Sequence, residues 1–171
     1  MIKSRKESDE VLYVDQGSVL LETMDLDEFK RLALINPRQR IRLCTHESQN
    51  DQLHEMFIIH TKDCYVRPHK HLGKVESMSI LEGEVDVILF HNNGKIMKIF
   101  EMGDPTTSKP FYHRLNNPIY HMLIIKTDFL VFHEITEGPF IRSNTVFPEW
   151  APAEYDKKFI QNIEKEISGF G

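Results

Sequence analysis

The sequence predicts an all-β fold, a sandwich or barrel, flanked by one helix near each end. Three observations predict it. From Arg38 onward, short runs alternate apolar and polar residues with period two. Gly, Pro, Asn and Asp clusters punctuate those runs, among them "EGE", "HNNGK", "MGDP", "NNP" and "KTD". Outside the runs, "MDLDEFKRLALINP" and residues 153–168 place apolar residues at helical spacing instead. Strand side chains alternate between two faces, whereas helical faces recur every three to four residues. Many short strands at regular spacing build a sandwich or barrel.

Taken in order, residues 1–10 are highly charged and are expected to fray. "VLYV" (Val11–Val14) suits a short strand. In the first helix Asp25 is placed to cap, with Glu28 three residues later at capping-box spacing. Leu26, Phe29, Leu32 and Ala33 then share a face, and Asn36-Pro37 ends the helix because a residue before proline avoids the α region. The β runs follow: "RQRIRLCTH", "HEMFIIH", "CYVRPHKH", "VESMSIL", "EVDVILF", "IMKIF", "FYHRL", "YHMLIIK" and "FLVFHEI". Asn93-Gly94 predicts a hairpin with a two-residue type I′ turn. After the prolines around Trp150, Tyr155, Phe159, Ile160, Ile163 and Ile167 predict an amphipathic helix over 153–168.

At 171 residues the chain suits a single domain, 1–171, with no internal repeat or low-complexity segment. The net charge of −5 argues against nucleic acid or an anionic membrane as partner. "MIKSRKESDE" has no apolar stretch of the kind a secretory signal needs, and no run is long enough to cross a bilayer. Cys44 and Cys64 read as reduced thiols of a cytoplasmic protein, with a single disulfide as the alternative. Neither has a nucleophile signature, so small buried core residues are expected. Nine histidines is a high count for this length, and histidine is the commonest metal ligand.

The densest cluster of chemistry is "RPHKHLGKVESMSILEG", Arg67 to Gly83. On a strand His69 and His71 present two imidazoles to one face. Gly73 permits a turn, after which Glu76 opens the next strand, and a β-hairpin would bring all three together. His121, after the turn of "NNPIYHML", supplies a fourth ligand from a later strand. Three neutral imidazoles and one carboxylate suit one divalent transition metal such as Zn, Fe, Mn, Ni or Cu. Four protein ligands leave open positions on an octahedral ion for water or substrate.

His69, His71, Glu76 and Gly83 resemble the first motif of the cupin superfamily, and His121 takes the place of the histidine in its second motif. The second motif departs from the pattern at Asn116, Pro118 and Ile125, and Asp63 stands where the first usually opens on glycine. Within the cupins the chain resembles the WbuC-type cupin-fold metalloproteins, through "NPRQRIRLCTH", "YVRPHKH", "ESMSILEGEVDVILF", "EGPF" and "FPEWAPAE". That resemblance implies a jelly-roll β-barrel, a metal held by His69, His71, Glu76 and His121, and a context of O-antigen or surface-polysaccharide synthesis. Cupins commonly pair through their sheets, so it also implies a homodimer.

Other residues join as substrate contacts. Arg38, Arg40 and Arg42 share a strand face, and guanidinium forks match phosphate and carboxylate; a solvated strand edge is the competing explanation. Arg67 shares the face of His69. His54 sits among the inward positions Met56 and Ile58, and Tyr65 could donate to a substrate, although core packing competes for both. His46, His113 and His133 are expected to be structural, and His60 and His91, beside turns, exposed. Glu76 is either a plain ligand or, released from the metal, a general base. The expected function is a metal-dependent enzyme, of isomerase or epimerase type, on a sugar or nucleotide sugar. An Fe(II)-dependent dioxygenase and a non-catalytic sugar-binding or regulatory module are the alternatives.

Overall fold

The protein is described by a computed structural model over residues 2–170. Its strands are β1 (Ser4–Lys6), β2 (Val11–Val14), β3 (Arg40–Cys44), β4 (Leu53–Thr61), β5 (Lys70–His71), β6 (Glu76–Glu82), β7 (Glu84–Phe90), β8 (Ile96–Gly103), β9 (Tyr112–Leu115), β10 (Tyr120–Ile125), β11 (Phe129–Glu137) and β12 (Thr145–Val146). Helix α1 (Thr23–Ile35) precedes β3, and α2 (Lys157–Ser168) follows β12. A seven-stranded sheet runs β1-β2-β3-β4-β11-β6-β9, a three-stranded sheet runs β10-β7-β8, and β12 pairs with β5.

Period-two patterning makes four layers of these elements. In β3 and β4, Ile41, Leu43 and Ile59 point outward and pack with Phe29 and Ala33 of α1. The alternate residues Cys44, Met56 and Ile58 point inward and meet Val85, Val87 and Leu89 of the small sheet. The small sheet turns Ile88, Phe90, Tyr120 and Met122 the other way, onto Ile163 and Phe159 of α2. Each helix thus covers the back of one sheet, which leaves the faces between the sheets to build a core and a cavity. No helix among the described residues is long and apolar enough to cross a membrane.

Several local expectations change. The N-terminal residues expected to fray form β1, paired with β2, and Asp25 explains why. Its carboxylate accepts from the Ile2 amide at 2.6 Å and from the Glu22 amide at 3.0 Å. Asp25 is therefore the third residue of α1, reaching back in a capping box whose cap is Glu22. Asn36 ends α1 as expected, and its side chain links the Asp9 carbonyl to the Arg38 amide. At the β7–β8 hairpin only Gly94 has positive φ, and its amide donates to the His91 carbonyl. That is a type I turn followed by a left-handed glycine, not the expected type I′. Helix α2 begins at Lys157, later than 153, because Asp156 caps it by accepting from the Phe159 amide at 2.7 Å. Both cysteines are buried free thiols, which removes the disulfide alternative.

Gly83 makes the tight turn from β6 in the large sheet to β7 in the small one. Its φ is +89, and a Cβ there would collide with the Phe129 carbonyl and lie 2.5 Å from Thr127 Oγ1. Gly83→Ala is expected to destabilise the fold by about 2–4 kcal/mol, combining left-handed strain and overpacking. Gly17, with nothing within 4 Å of its Cβ position, serves as the control: Gly17→Ala should change the urea midpoint little while Gly83→Ala lowers it clearly.

Candidate metal centre

Three backbone pairings place the histidines. His69 and His121 form an isolated antiparallel bridge, amide to carbonyl at 3.1 and 2.9 Å in the two directions. His71 pairs with Thr145 across β5 and β12. The segment 69–71 is therefore clamped between β10 and β12, and Gly73 (φ +65) carries the chain across to β6. The expected hairpin between the histidines and Glu76 does not form, since β6 pairs with β11 and β9. Glu76 instead faces the histidines from the opposite sheet.

The rings pack closely, with the His69 centroid 4.5 Å from His121 and 5.0 Å from His71. Each Nδ1 is engaged: His69 with the Arg67 carbonyl at 2.8 Å, His121 with the Ile119 carbonyl at 3.0 Å, His71 with Thr145 Oγ1 at 3.1 Å. A carbonyl can only accept, so the neutral rings of His69 and His121 carry their proton on Nδ1 and present a bare lone pair at Nε2. Glu76 Oε1 lies 3.1 Å from His121 Nε2, and Oε2 lies 3.5 Å from His71 Nε2. Ligand atoms of His69, His71 and His121 all fall within 4.8 Å of one another.

Burial holds the imidazoles neutral. His69 is pushed well below its ordinary value by burial, reinforced by His121 and His71. His71 is lowered to about 4, first by burial and then by His121. Burial also lowers His121 and raises Glu76. The neutral rings thus offer lone pairs at Nε2, with the Glu76 carboxyl beside them. A divalent cation fits this donor set, and His69, His71 and His121 can bind one.

The cluster sits in a cavity of about 560 Å³ between the two sheets. Arg38, Arg40, Arg42, Arg67 and His54 line it, although only Arg40, Arg42 and His54 do so from strands: Arg38 lies in the turn before β3, where Gln39 has φ +57, and Arg67 lies in the loop before β5. Tyr65, expected as a substrate contact, does not line it: its hydroxyl donates to the Pro152 carbonyl at 2.8 Å. His54 stacks on His46, with centroids 4.1 Å apart. Gly138 permits that packing, since a Cβ there would come within 2.6 Å of His54 Nε2. Arg67 lies over the Phe147 ring at 4.7 Å and donates to the Ala151 carbonyl. His133 faces outward against Phe57.

Two cavity residues escape the sequence reading. Glu134 is paired in register with Met78, and Thr136 with Glu76. Glu134 and Glu76 are therefore diagonal neighbours on one sheet face, roughly 5.5–8 Å apart at Cβ. Burial, then the charge of Glu76, raises the Glu134 carboxyl. Its signal was the alternation Phe132, Glu134, Thr136, which puts a carboxylate on an inward face. His60, expected to be exposed, is 6% exposed and lines the cavity. Continuing the inward series His54, Met56, Ile58 by one step reaches it.

Residues 21–102 match the family model of a domain of unknown function (DUF6016). No curated protein matches the sequence. Among solved structures, CapF in complex with 3-isopropenyl-tropolone is similar at a TM-score of 0.50 and 15% identity, covering 63% of this chain and 31% of that one. The fold is a cupin jelly roll. A Shewanella oneidensis protein aligns with a TM-score of 0.49 and 5% identity, over 74% of this chain and 76% of that one. A Bacillus subtilis oxalate decarboxylase aligns with 0.46 and 15%, over 67% and 29%. The chain spans about a third or less of the length of CapF and of the decarboxylase that it matches.

His60 generates a pH prediction. Burial, then Arg40 and Arg42, depress it to about 3 from the ordinary 6.5. The folded state thus resists a proton that the unfolded chain accepts. The associated stability is fully present above pH 6.5 and is lost as pH falls from 6.5 towards 3, by at most about 1.4 kcal/mol per pH unit. His60→Gln should flatten that slope in urea titrations at stepped pH; an unchanged slope would show that His60 does not cause it.

Proposed function

We propose that this cupin is a metal-dependent enzyme acting on a sugar or nucleotide sugar in O-antigen or surface-polysaccharide synthesis, of isomerase or epimerase type. One observation carries the proposal: three neutral imidazoles and a carboxylate converge inside a cavity that arginines also line. The WbuC-type resemblance of the sequence supplies the context. In this account the chain works as a cytoplasmic homodimer on a small molecule, without nucleic acid or membrane as partner.

His69, His71, His121 and Glu76 would hold the ion. A divalent transition metal there supplies Lewis-acid polarisation of a sugar carbonyl or hydroxyl. Thr145 and the carbonyls of Arg67 and Ile119 keep the imidazoles aimed, and such outer partners tune ligand basicity. Glu76 closes the ligand set. Glu134, one step along the same face, is the better-placed group to take or return a proton at a sugar carbon. Arg67 and the β3 arginines orient the anionic end.

The test is turnover of a panel of nucleotide sugars by protein of measured metal content. Conversion by the native chain is expected, with Glu134→Gln keeping its metal but losing at least a hundredfold in kcat, within the usual range for a lost acid or base. If metal-loaded protein binds nucleotide sugars without converting any, the chain is a binding module. Full activity in Glu134→Gln would return the proton-transfer role to Glu76.

A further inference from the structure

Away from the histidine cluster a side pocket of about 70 Å³ opens beside Glu10, Arg40, Arg42 and His60. At roughly 30 Å³ per water, this is room for one oxyanion group rather than a whole sugar. The pocket carries excess positive charge. Glu10 is occupied twice, by Arg38 at 3.0 Å and by Arg40 at 2.6 Å. Among the described residues Arg42 has no ion pair, so the two guanidinium groups that line the pocket, Arg40 and Arg42, face one carboxylate and a net charge of +1 remains. Arg40, Arg42 and His60 also line the larger cavity together with His69, His71 and Glu134, so the side pocket shares a wall with the cavity that holds the cluster. His60, the cross-strand partner of Arg40, is buried in its wall, with Nδ1 lacking any hydrogen-bond partner. Unpaired buried polar atoms are uncommon and mark sites where a partner is missing.

We propose that this pocket is an oxyanion site, built by Arg42 and Arg40 with His60 in its wall, that takes a phosphate group of the substrate. This deepens the sugar reading by naming the substrate class, a glycosyl phosphate or diphosphate. Register gives the length scale. Arg42 pairs with Ile58 and Ile58 with Phe132, four residues along β11 from Thr136, the partner of Glu76. The offset along the strands is about 13 Å at 3.3 Å per residue, and β3 and β6 stand three strand spacings apart, about 14 Å at 4.8 Å each; the roughly 19 Å that results is shortened by the long Arg42 side chain and by sheet curvature. An extended glycosyl phosphate or diphosphate suits such a span better than a free sugar. A guanidinium fork binds a phosphate through two parallel hydrogen bonds. Glu10 holds Arg38 and Arg40 back, so the site is tuned and not maximal.

The experiment is calorimetry of pyrophosphate and inorganic phosphate binding to the full chain, stripped of metal with a chelator, at low salt. The native chain is expected to bind pyrophosphate. Arg42→Gln should weaken it at least tenfold, and Arg42→Lys, which keeps the charge without the fork, should fall between. Glu10→Gln should bind severalfold tighter, because it releases two arginines. Arg142→Gln, a cavity arginine away from the pocket, should stay within twofold. No pyrophosphate binding by the native chain, equal affinity in Arg42→Gln, or an equal loss in Arg142→Gln would overturn the site. Because the protein is metal-free, a negative result leaves the metal assignment standing, and a failed metal assignment leaves this site standing.

Discussion

Everything at the centre of this molecule depends on a polar hole in an otherwise apolar interior. Neutral imidazoles and a carboxylate point at one another inside the cavity. Buried polar groups are tolerated when each is paired, and are costly otherwise. The Nδ1 side of each ring is paired locally, and the Nε2 side faces the cluster, where Glu76 meets His121 and His71. A cation would satisfy those lone pairs at once.

The surrounding architecture holds that hole open. Two helices cover the sheet backs, so the inward faces are free for chemistry. The groups that meet there come from both sides: His69 and His121 from a bridge at the small sheet, Glu76 from β6 of the large sheet. The same division separates charge types. Acidic groups lie along β6 and β11, while the arginines gather on β3 across the large sheet. A ligand bound between them can be anionic at one end and exchange a proton at the other.

Much of this was legible in the sequence, for a physical reason. Period-two alternation is set by strand geometry, so the shared face of Arg40 and Arg42 and that of His54, Met56 and Ile58 could be read directly, whereas whether the arginines faced cavity or solvent could not. The helices were legible from their apolar stripes, and the histidine cluster from its spacing and resemblance. What could not be read depends on long-range pairing. Nothing local tells that β5 joins β12 instead of β6, because that choice is fixed by Thr145, 74 residues from His71. Asp25 anchors Ile2 across 23 residues. Tyr65 left the cavity because Pro152 lies under its hydroxyl, also a distant contact. Glu134 and His60 were missed differently: their alternation was present, but neighbouring His133 and a nearby turn drew the reading away.

The central claim is that His69, His71 and His121 ligate one metal through Nε2. X-ray absorption of the metal-loaded native chain, compared with His69→Ala, tests it most directly. The account predicts one ion per chain with a shell of about three imidazole nitrogens near 2.0–2.2 Å and oxygen completing it, and loss of that shell in His69→Ala. A native shell of oxygen or sulfur without imidazole, or a spectrum unchanged by the substitution, would contradict it.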